Sequence, residues 1–270
     1  MRDGLRNLGL VLAVAFVWDG WLAEVYSAEP KPIVDESLKG PYATTVFKEM
    51  EQKWREIETF HARIVQVHRD RVDHVVARYE GEMWLRRPHQ IRINYRRTSG
   101  NPAGAITSAT AHAISGATNY THIVWAKDPE WIYEYNTREN TLSRDNLKTI
   151  SSIPFIQAVA GIEAFKEEEF RKKHWVKEPL PVGKYAEEPV YLLRTKPLSV
   201  YSNEYHPFDI WLGERDTIPR LITLYLNQDT DLQETIEIRL ESFEVNSTLP
   251  EDLFKVSIPS DVTVVERGDI

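Results

Sequence analysis

The chain has 270 residues, of which 42% are hydrophobic and 27% charged, a composition typical of a folded protein with a sizeable core. Its formal net charge of −8 disfavours nucleic acid and anionic membrane surfaces as partners, because an acidic chain has no overall attraction for either. The sequence contains no cysteine, which excludes disulfides, thiol catalysis and acylation at a lipobox cysteine.

Residues 1–27 have the pattern of a signal peptide. Arg2 and Arg6 form a short basic head, residues 8–18 are apolar, and Ser27 is a small residue suited to cleavage. The apolar run is shorter than the roughly 20 residues that cross a bilayer. We therefore predict export with cleavage, and retention of the segment as a membrane anchor is the alternative.

A helix and three strands are predicted for the next part of the chain. Residues 28–41 contain prolines and are interpreted as a leader or linker. The side chains that then recur at helical spacing, and so form one apolar stripe, are Val46, Met50, Trp54 and Ile57. From Phe60 onward the apolar pattern has a period of two, which predicts strands near residues 60–69, 75–86 and 90–98.

Residues 99–118 interrupt the strand pattern. Fifteen of these twenty residues are Gly, Ala, Ser or Thr, and none is Asp, Glu, Lys or Arg. Such a segment cannot bury enough apolar area to order itself firmly. We interpret it as a low-complexity loop inserted into the fold.

The remaining sequence predicts more strands and one further helix. Pro154 begins a helical run whose apolar face contains Phe155, Ile156, Val159 and Ile162. Strands are expected near residues 121–126, 130–136, 140–145, 189–196, 207–213, 218–227 and 232–245. Because few long connections separate them, the pattern favours one domain, residues 42–270, built on a single curved antiparallel sheet. Two half-domains divided near residue 180, where prolines cluster, are the alternative.

Arg87 is a candidate functional residue because it ends an apolar strand face. In a strand, Met83, Leu85 and Arg87 point to one side, and a second apolar row follows Pro88. That second row is formed by Ile91, Ile93 and Tyr95. An unpaired guanidinium in apolar surroundings costs several kcal/mol, so Arg87 needs carbonyls or a ligand head group as acceptors. An arginine that reaches solvent from the strand end is the alternative.

Catalytic and metal-binding patterns are not found in the sequence. His61 and His68 are seven residues apart, which places them on opposite faces of a strand, and no HExxH or GxSxG motif occurs. Glu80 and Glu82 share their strand face with arginines, as in a solvated charge ladder. We predict no catalytic residue, metal or cofactor. Whether strand aromatics such as Trp131 fill a core or line a pocket stays open.

Four strand-like segments occur in an order that resembles a known family. They are FHARIVQ at residues 60–66, GEMWLRRP at 81–88, DPEWIYEYN at 128–136 and LPEDLFKV at 249–256. In this order they resemble the lipoprotein localisation factors, the LolA-like proteins. The resemblance covers most of the chain after the signal peptide, and the ordered set is more specific than any single segment.

The resemblance implies a mainly β (α+β) fold: a curved antiparallel sheet forms an unclosed barrel, and helices serve as a lid over a hydrophobic cavity. It also implies that Arg87 acts as a lid latch by bonding to helix carbonyls. The residues expected to line the cavity are Met83, Leu85, Ile91, Ile93, Tyr95, Trp131 and Tyr133. The expected lid helix carries Phe155, Ile156, Val159 and Ile162.

The expected function is a non-enzymatic, monomeric periplasmic carrier or binding protein for lipoprotein acyl chains or other lipids. Its partners would be a lipid or a lipidated protein. An envelope sensor of the RseB type, which binds a membrane protein partner, is the alternative. An envelope enzyme is disfavoured, because the sequence lacks the nucleophile, metal and carboxylate patterns of that class.

Overall fold

The structure is a computed structural model that describes residues 30–88, 90–99, 122–126, 131–146, 167–201, 207–226 and 234–266. The predicted signal peptide, the predicted helix after Pro154 and residues 100–118 of the insert lie outside the described residues. One compact unit, Pro32–Ile270, contains the helices and strands described. Among the residues that the structure describes, no helix is long and apolar enough to cross a membrane.

Two α-helices, one 3-10 turn and fourteen strands form in the described residues. The helices are α1 (Ala43–Arg55) and α2 (Glu167–Lys173), and the 3-10 turn is Ser199–Tyr201. The strands are β1 (Ile33–Lys39), β2 (Thr59–Arg69), β3 (Val75–Arg86), β4 (Gln90–Ser99), β5 (His122–Ala126), β6 (Trp131–Asn136), β7 (Thr141–Asn146), β8 (His174–Val176), β9 (Pro181–Tyr185), β10 (Glu188–Pro197), β11 (Phe208–Gly213), β12 (Pro219–Tyr225), β13 (Thr235–Val245) and β14 (Thr263–Glu266).

The strands form one large sheet in the order β1-β9-β10-β11-β12-β13-β2-β3-β4-β5-β6-β7-β14, with β8 added beside β10. Within the described residues the two end strands, β1 and β14, do not pair with each other, so the sheet is not closed. The predicted mainly β fold of the unclosed-barrel type is confirmed. One detail differs: β14 pairs with β7 in the parallel direction, whereas the other neighbours are antiparallel.

The sequence prediction missed β1, β8, β9 and β14. Residues 33–39, interpreted as part of a leader, form β1 and pair with β9 through Ile33–Lys184 and Val34–Gly183. Charged residues interrupt the apolar alternation in β1, which hides the strand pattern. The compact unit therefore begins at Pro32. Strand β9, which follows residue 180, pairs both with β1 from the first half of the chain and with β10.

Helix α1 packs on one face of the sheet, which we call the inner face. Its buried side chains include Val46, Met50 and Trp54, three members of the predicted apolar stripe, and the fourth, Ile57, is buried just beyond the end of the helix. Full burial of a large apolar side chain stabilises the fold by about 1.5–3 kcal/mol. The inner-face side chains in the same core as α1 include Phe60, Ile64, Met83, Ile93, Val124, Ile132, Ile210, Leu212, Ile222, Ile238 and Leu240.

Two local features bend the strands beneath α1. A Cβ atom at Gly81 in β3 would lie 1.8 Å from the carbonyl oxygen of Asn94 in β4, so only glycine permits this close approach. The pairing of β13 with β2 shifts register between Leu240 and Ser242. Bulges and close approaches at glycine are features that curve a sheet. Both lie on strands of the inner face, which explains how this face curves around the helix.

His174 is a buried histidine at the junction of α2 and β8. Its ring lies between the rings of Phe170 and Phe208, with centroid distances of 4.7 and 5.3 Å. Burial, which penalises the charged imidazolium, lowers the pKa of His174 from 6.5 to about 4. The native protein therefore keeps this ring neutral under mildly acidic conditions in which an unfolded chain would protonate it.

We predict that acid destabilises the fold partly through His174. Between pH 6.5 and about 4 the unfolded state binds a proton at this site and the native state does not, so the free energy of unfolding falls as pH falls. The loss from this group is on the order of 1 to 3 kcal/mol. Urea unfolding across this pH range should show that the free energy of unfolding falls less steeply with falling pH in His174→Phe than in the parent. An identical slope in both proteins would contradict the prediction.

Candidate functional site

The candidate site is the apolar part of the inner face, together with α1 and its attachments. Two rows of paired residues cross the strands there: Phe60–Leu85–Ile91–Ala126 and Ala62–Met83–Ile93–Val124. Both rows belong to the core that contains α1. Four of the predicted lining residues, Met83, Leu85, Ile91 and Ile93, are buried in these rows, and Tyr95 packs against the same core.

Two predicted lining residues lie elsewhere. Ile132 in β6 belongs to the inner face, so its neighbours Trp131 and Tyr133 point to the opposite, outer face. There Tyr133 stacks on Trp125 at a centroid distance of 5.2 Å, and Arg144 lies 4.7 Å over the Trp131 ring. The expectation that all seven residues line one cavity is therefore wrong for these two. The aromatic pattern of β6 does not reveal which face is buried on the α1 side.

Arg87 bonds to the C-terminal end of α1. Its Nε donates to the carbonyl oxygen of Ile57 at 2.6 Å, and its Nη2 donates to the carbonyl oxygen of Trp54. The backbone N–H of Arg87 also donates to the backbone carbonyl oxygen of Glu58 at 2.9 Å. The last carbonyls of a helix lack partners within the helix and carry partial negative charge, so a half-buried guanidinium stabilises them. The bonds to helix carbonyls that the resemblance implies are thus present, and their role as a latch remains a prediction.

A second group of polar side chains holds the N-terminal end of α1. The first helical N–H, of Ala43, donates to Oε1 of Glu178 at 3.0 Å, and the Thr44 hydroxyl donates to Glu167 at 2.6 Å. Arg171 bonds to both carboxylates, at 2.8 and 2.7 Å. Tyr42 provides no side-chain cap, so Glu178 serves this purpose from a distant part of the chain.

The sequence did not reveal this N-terminal attachment. From the sequence alone, Glu167 and Arg171 belong to an acidic run followed by a basic run, which is typical of the solvated outer side of a helix. Glu178 and α1 are 135 residues apart, a separation that no local pattern can connect.

A third contact, from the Lys53 ammonium to the carbonyl oxygen of Arg215, joins α1 to the turn between β11 and β12.

The charged side chains on the outer face form a ladder. Arg63 lies 3.3 Å from Glu80, and Arg78 lies 3.2 Å from the same carboxylate. Glu82 is 2.8 Å from His61. In the described ranges, no group of three or more His, Asp or Glu side chains is arranged to hold a metal ion. Glu80 and Glu82 thus pair with basic side chains across the β2–β3 ladder, and Glu80 also pairs with Arg78 along β3.

Comparisons with known proteins find weak structural similarity. No protein-family model and no curated protein matches the sequence. The structure is similar to MucB in the Pseudomonas aeruginosa MucA/MucB complex, at 12% identity and a TM-score of 0.41, over 79% of this chain and 60% of that one. A separate MucB structure matches at 12% identity and a TM-score of 0.44, over 80% of this chain and 64% of that one.

Two shorter proteins also match. A LolA superfamily protein from Nitrosomonas europaea matches at 11% identity and a TM-score of 0.37, over 80% of this chain and 98% of that one. The Mycobacterium tuberculosis lipoprotein LppX matches at 10% identity and a TM-score of 0.37, over 77% of this chain and 98% of that one. The chain spans less than two thirds of the MucB chains. Similarity at this level carries no argument about function, which must be inferred from the geometry of the site.

We predict that removal of the Arg87 guanidinium loosens α1 without unfolding the sheet. Arg87→Leu removes two charge-assisted hydrogen bonds, so amide hydrogen exchange in the last turns of α1 should accelerate by about tenfold or more. Arg87→Lys should restore little, because an ammonium lacks the planar fork. Mass-spectrometric detection of exchange in peptides from α1, β2 and β3 measures both effects.

The neighbouring arginine provides the control. Arg86 points to the outer face, where its Nη2 donates to the carbonyl oxygens of Leu249 and Pro250 at 3.1 and 2.8 Å. Its Cζ lies 4.8 Å from the centroid of the Phe254 ring. Arg86→Leu should accelerate exchange near residues 249–254 and leave α1 unchanged. Equal rates of amide hydrogen exchange in α1 of the parent and of Arg87→Leu would show that the guanidinium does not hold the helix.

Proposed function

We propose that this chain is a non-catalytic carrier or binding protein for an apolar ligand, with α1 as the movable cover of the site. The ligand class that fits best is the acyl chain of a lipid or of a lipidated protein. The observation that carries the proposal is the attachment of α1: the apolar stripe of this helix lies on an apolar sheet face, and Arg87 bonds to the carbonyls at its end.

The chemistry of the α1 interface suits an acyl chain. Along the rows that α1 covers, the inner face offers aliphatic and aromatic side chains and no formal charge, such as Phe60, Leu85, Ile91 and Ile93. Apolar contact is non-directional, so a hydrocarbon chain can replace the side chains of α1 against the same surface. The exchange would conserve much of the buried apolar area and would thus avoid the full cost of exposing the core.

The polar attachments set the cost of opening. A hydrogen bond to a charged group contributes about 1.5–3 kcal/mol, so the two side-chain bonds of Arg87 are a small part of the total stabilisation but a large part of what holds one helix end. Loss of these bonds would leave the C-terminal end of α1 attached only through weaker contacts such as Lys53–Arg215, while Glu178 and Arg171 still hold the other end. Such an arrangement behaves as a cover with a hinge at the N-terminal end of α1.

Several features of this function follow from the sequence and are part of the proposal. The signal-peptide pattern of residues 1–27 supports export, and the LolA-like resemblance supports a periplasmic location. We propose that the protein works as a monomer and receives or delivers a lipid or a lipidated protein. An envelope membrane protein would be its partner if the site proves to bind no lipid.

A fluorescent acyl probe tests the carrier function. If Arg87 bonds to α1 only in the closed state, Arg87→Leu raises the open fraction, and the apparent affinity for the probe should increase by about tenfold with faster uptake. Arg86→Leu, which alters the outer face, should bind the probe as the parent does. Mass spectrometry of lipids that copurify with the parent protein provides an independent readout.

Two outcomes would count against this function. Equal probe binding and uptake in the parent and Arg87→Leu, at equal melting temperature, would remove Arg87 from the opening step. If the parent neither binds the probe nor copurifies with lipid, the inner face is a filled core. The protein would then be better described as an envelope interaction module.

A further inference from the structure

The inner face becomes polar further along the strands that carry the apolar rows. Beyond Ile64, Gly81 and Ile93, the positions of the same face are filled by hydrogen-bonding side chains. We call this group the polar patch. It consists of Gln66, His68, Tyr79, Tyr95, His122 and Glu134.

Five of the six side chains of the polar patch are connected by hydrogen bonds or ring contacts. Nδ1 of His122 lies 2.9 Å from Oε1 of Glu134, and these two side chains are only 13% and 16% exposed. The ring of Tyr79 meets His122 edge-on at a centroid distance of 6.2 Å and lies 5.5 Å from the ring of His68. Gln66 is hydrogen-bonded to His68. A half-buried polar network of this kind is held in a fixed arrangement, as a site for a polar ligand group requires.

The charges around the polar patch are unequal. Arg97 is the cross-strand partner of Tyr79 on the inner face, and Arg138 follows β6, so two guanidinium groups and one carboxylate, that of Glu134, act on Tyr79. Burial, and secondarily Arg97, lowers the pKa of His68 to about 4, so this ring is neutral near neutral pH. Burial raises the pKa of Tyr95, with a further contribution from Glu134, so its hydroxyl remains a donor. Among the charged groups that act on Tyr79, two guanidinium groups thus outnumber one carboxylate, although the chain has a net charge of −8.

We propose that the polar patch and Arg97 bind the anionic head group of an amphiphile whose apolar part lies on the adjoining apolar rows. This inference rests on the proposed carrier function and specifies its ligand class. Leu85 and Tyr79 are six residues apart on one face of β3, which corresponds to about 20 Å along a strand. An acyl chain, which spans half of a bilayer core of about 30 Å, fits within that length.

Three probes with identical tails test the head-group preference. A pyrene-labelled long-chain carboxylate, the corresponding alcohol and the corresponding amine differ only in the charge of the head. Near neutral pH the parent should bind the carboxylate about three- to fivefold more tightly than the alcohol, which is the range for one partly exposed charge interaction. The amine should bind least tightly, because two guanidinium groups oppose it.

Arg97 and its neighbour Arg96 form a matched pair of variants. Both side chains are exposed on β4, but strand alternation directs Arg96 to the outer face. Arg97→Gln should remove the preference for carboxylate over alcohol, and Arg96→Gln should retain it. A preference that both variants lose equally would reflect the overall field of the protein and would overturn the assignment to the polar patch.

The remaining outcomes separate this inference from the carrier function. Equal binding of the three probes would overturn the head-group site and leave the carrier function standing. Tightest binding of the amine would also overturn it, because Glu134 would then dominate the patch. If no probe binds, the carrier function fails, and the head-group site fails with it.

Discussion

The hydrogen bonds from Arg87 to the C-terminal carbonyls of α1 are the contact on which the arrangement of the site depends. A helix end placed over an apolar surface leaves carbonyls that neither water nor the core can satisfy well. A guanidinium at the end of β3 supplies donors and a compensating charge at that point. Arg87 is therefore one of the polar contacts that position α1 on the inner face, together with Glu178 at the N-terminal end and Lys53 in the last turn.

The two faces of the sheet differ in how they are covered. On the inner face, α1 lies on apolar rows and is attached at its ends by polar contacts. On the outer face, the C-terminal segment covers an aromatic cluster that includes Trp125 and Tyr135, and Arg92 bonds to the Leu253 carbonyl at 2.6 Å. Under the proposed function, stability and ligand binding would be separated, because the outer cluster need not open for α1 to move.

Much of the fold and part of the site could be predicted from local pattern. Strand alternation identified most of the long strands, and an arginine at the end of an apolar face identified Arg87. The alternation of β6 could not show which side faces α1, so Trp131 and Tyr133 were placed on the wrong face. Strand β1 was missed because its charges break the pattern. Glu178 was missed because its contact with Ala43 depends on the folded sheet, across 135 residues.

Locking the C-terminal end of α1 tests the central claim that this helix must move to admit a ligand. Lys53 in the last turn of α1 bonds to the Arg215 carbonyl, and the chain contains no cysteine, so Lys53→Cys and Arg215→Cys create one unique pair. A reducible bis-maleimide linker would join the two thiols. The account predicts that the cross-linked protein takes up a fluorescent acyl probe much more slowly than the same variant without linker, and that reduction restores uptake. Equal uptake with the linker intact would contradict it.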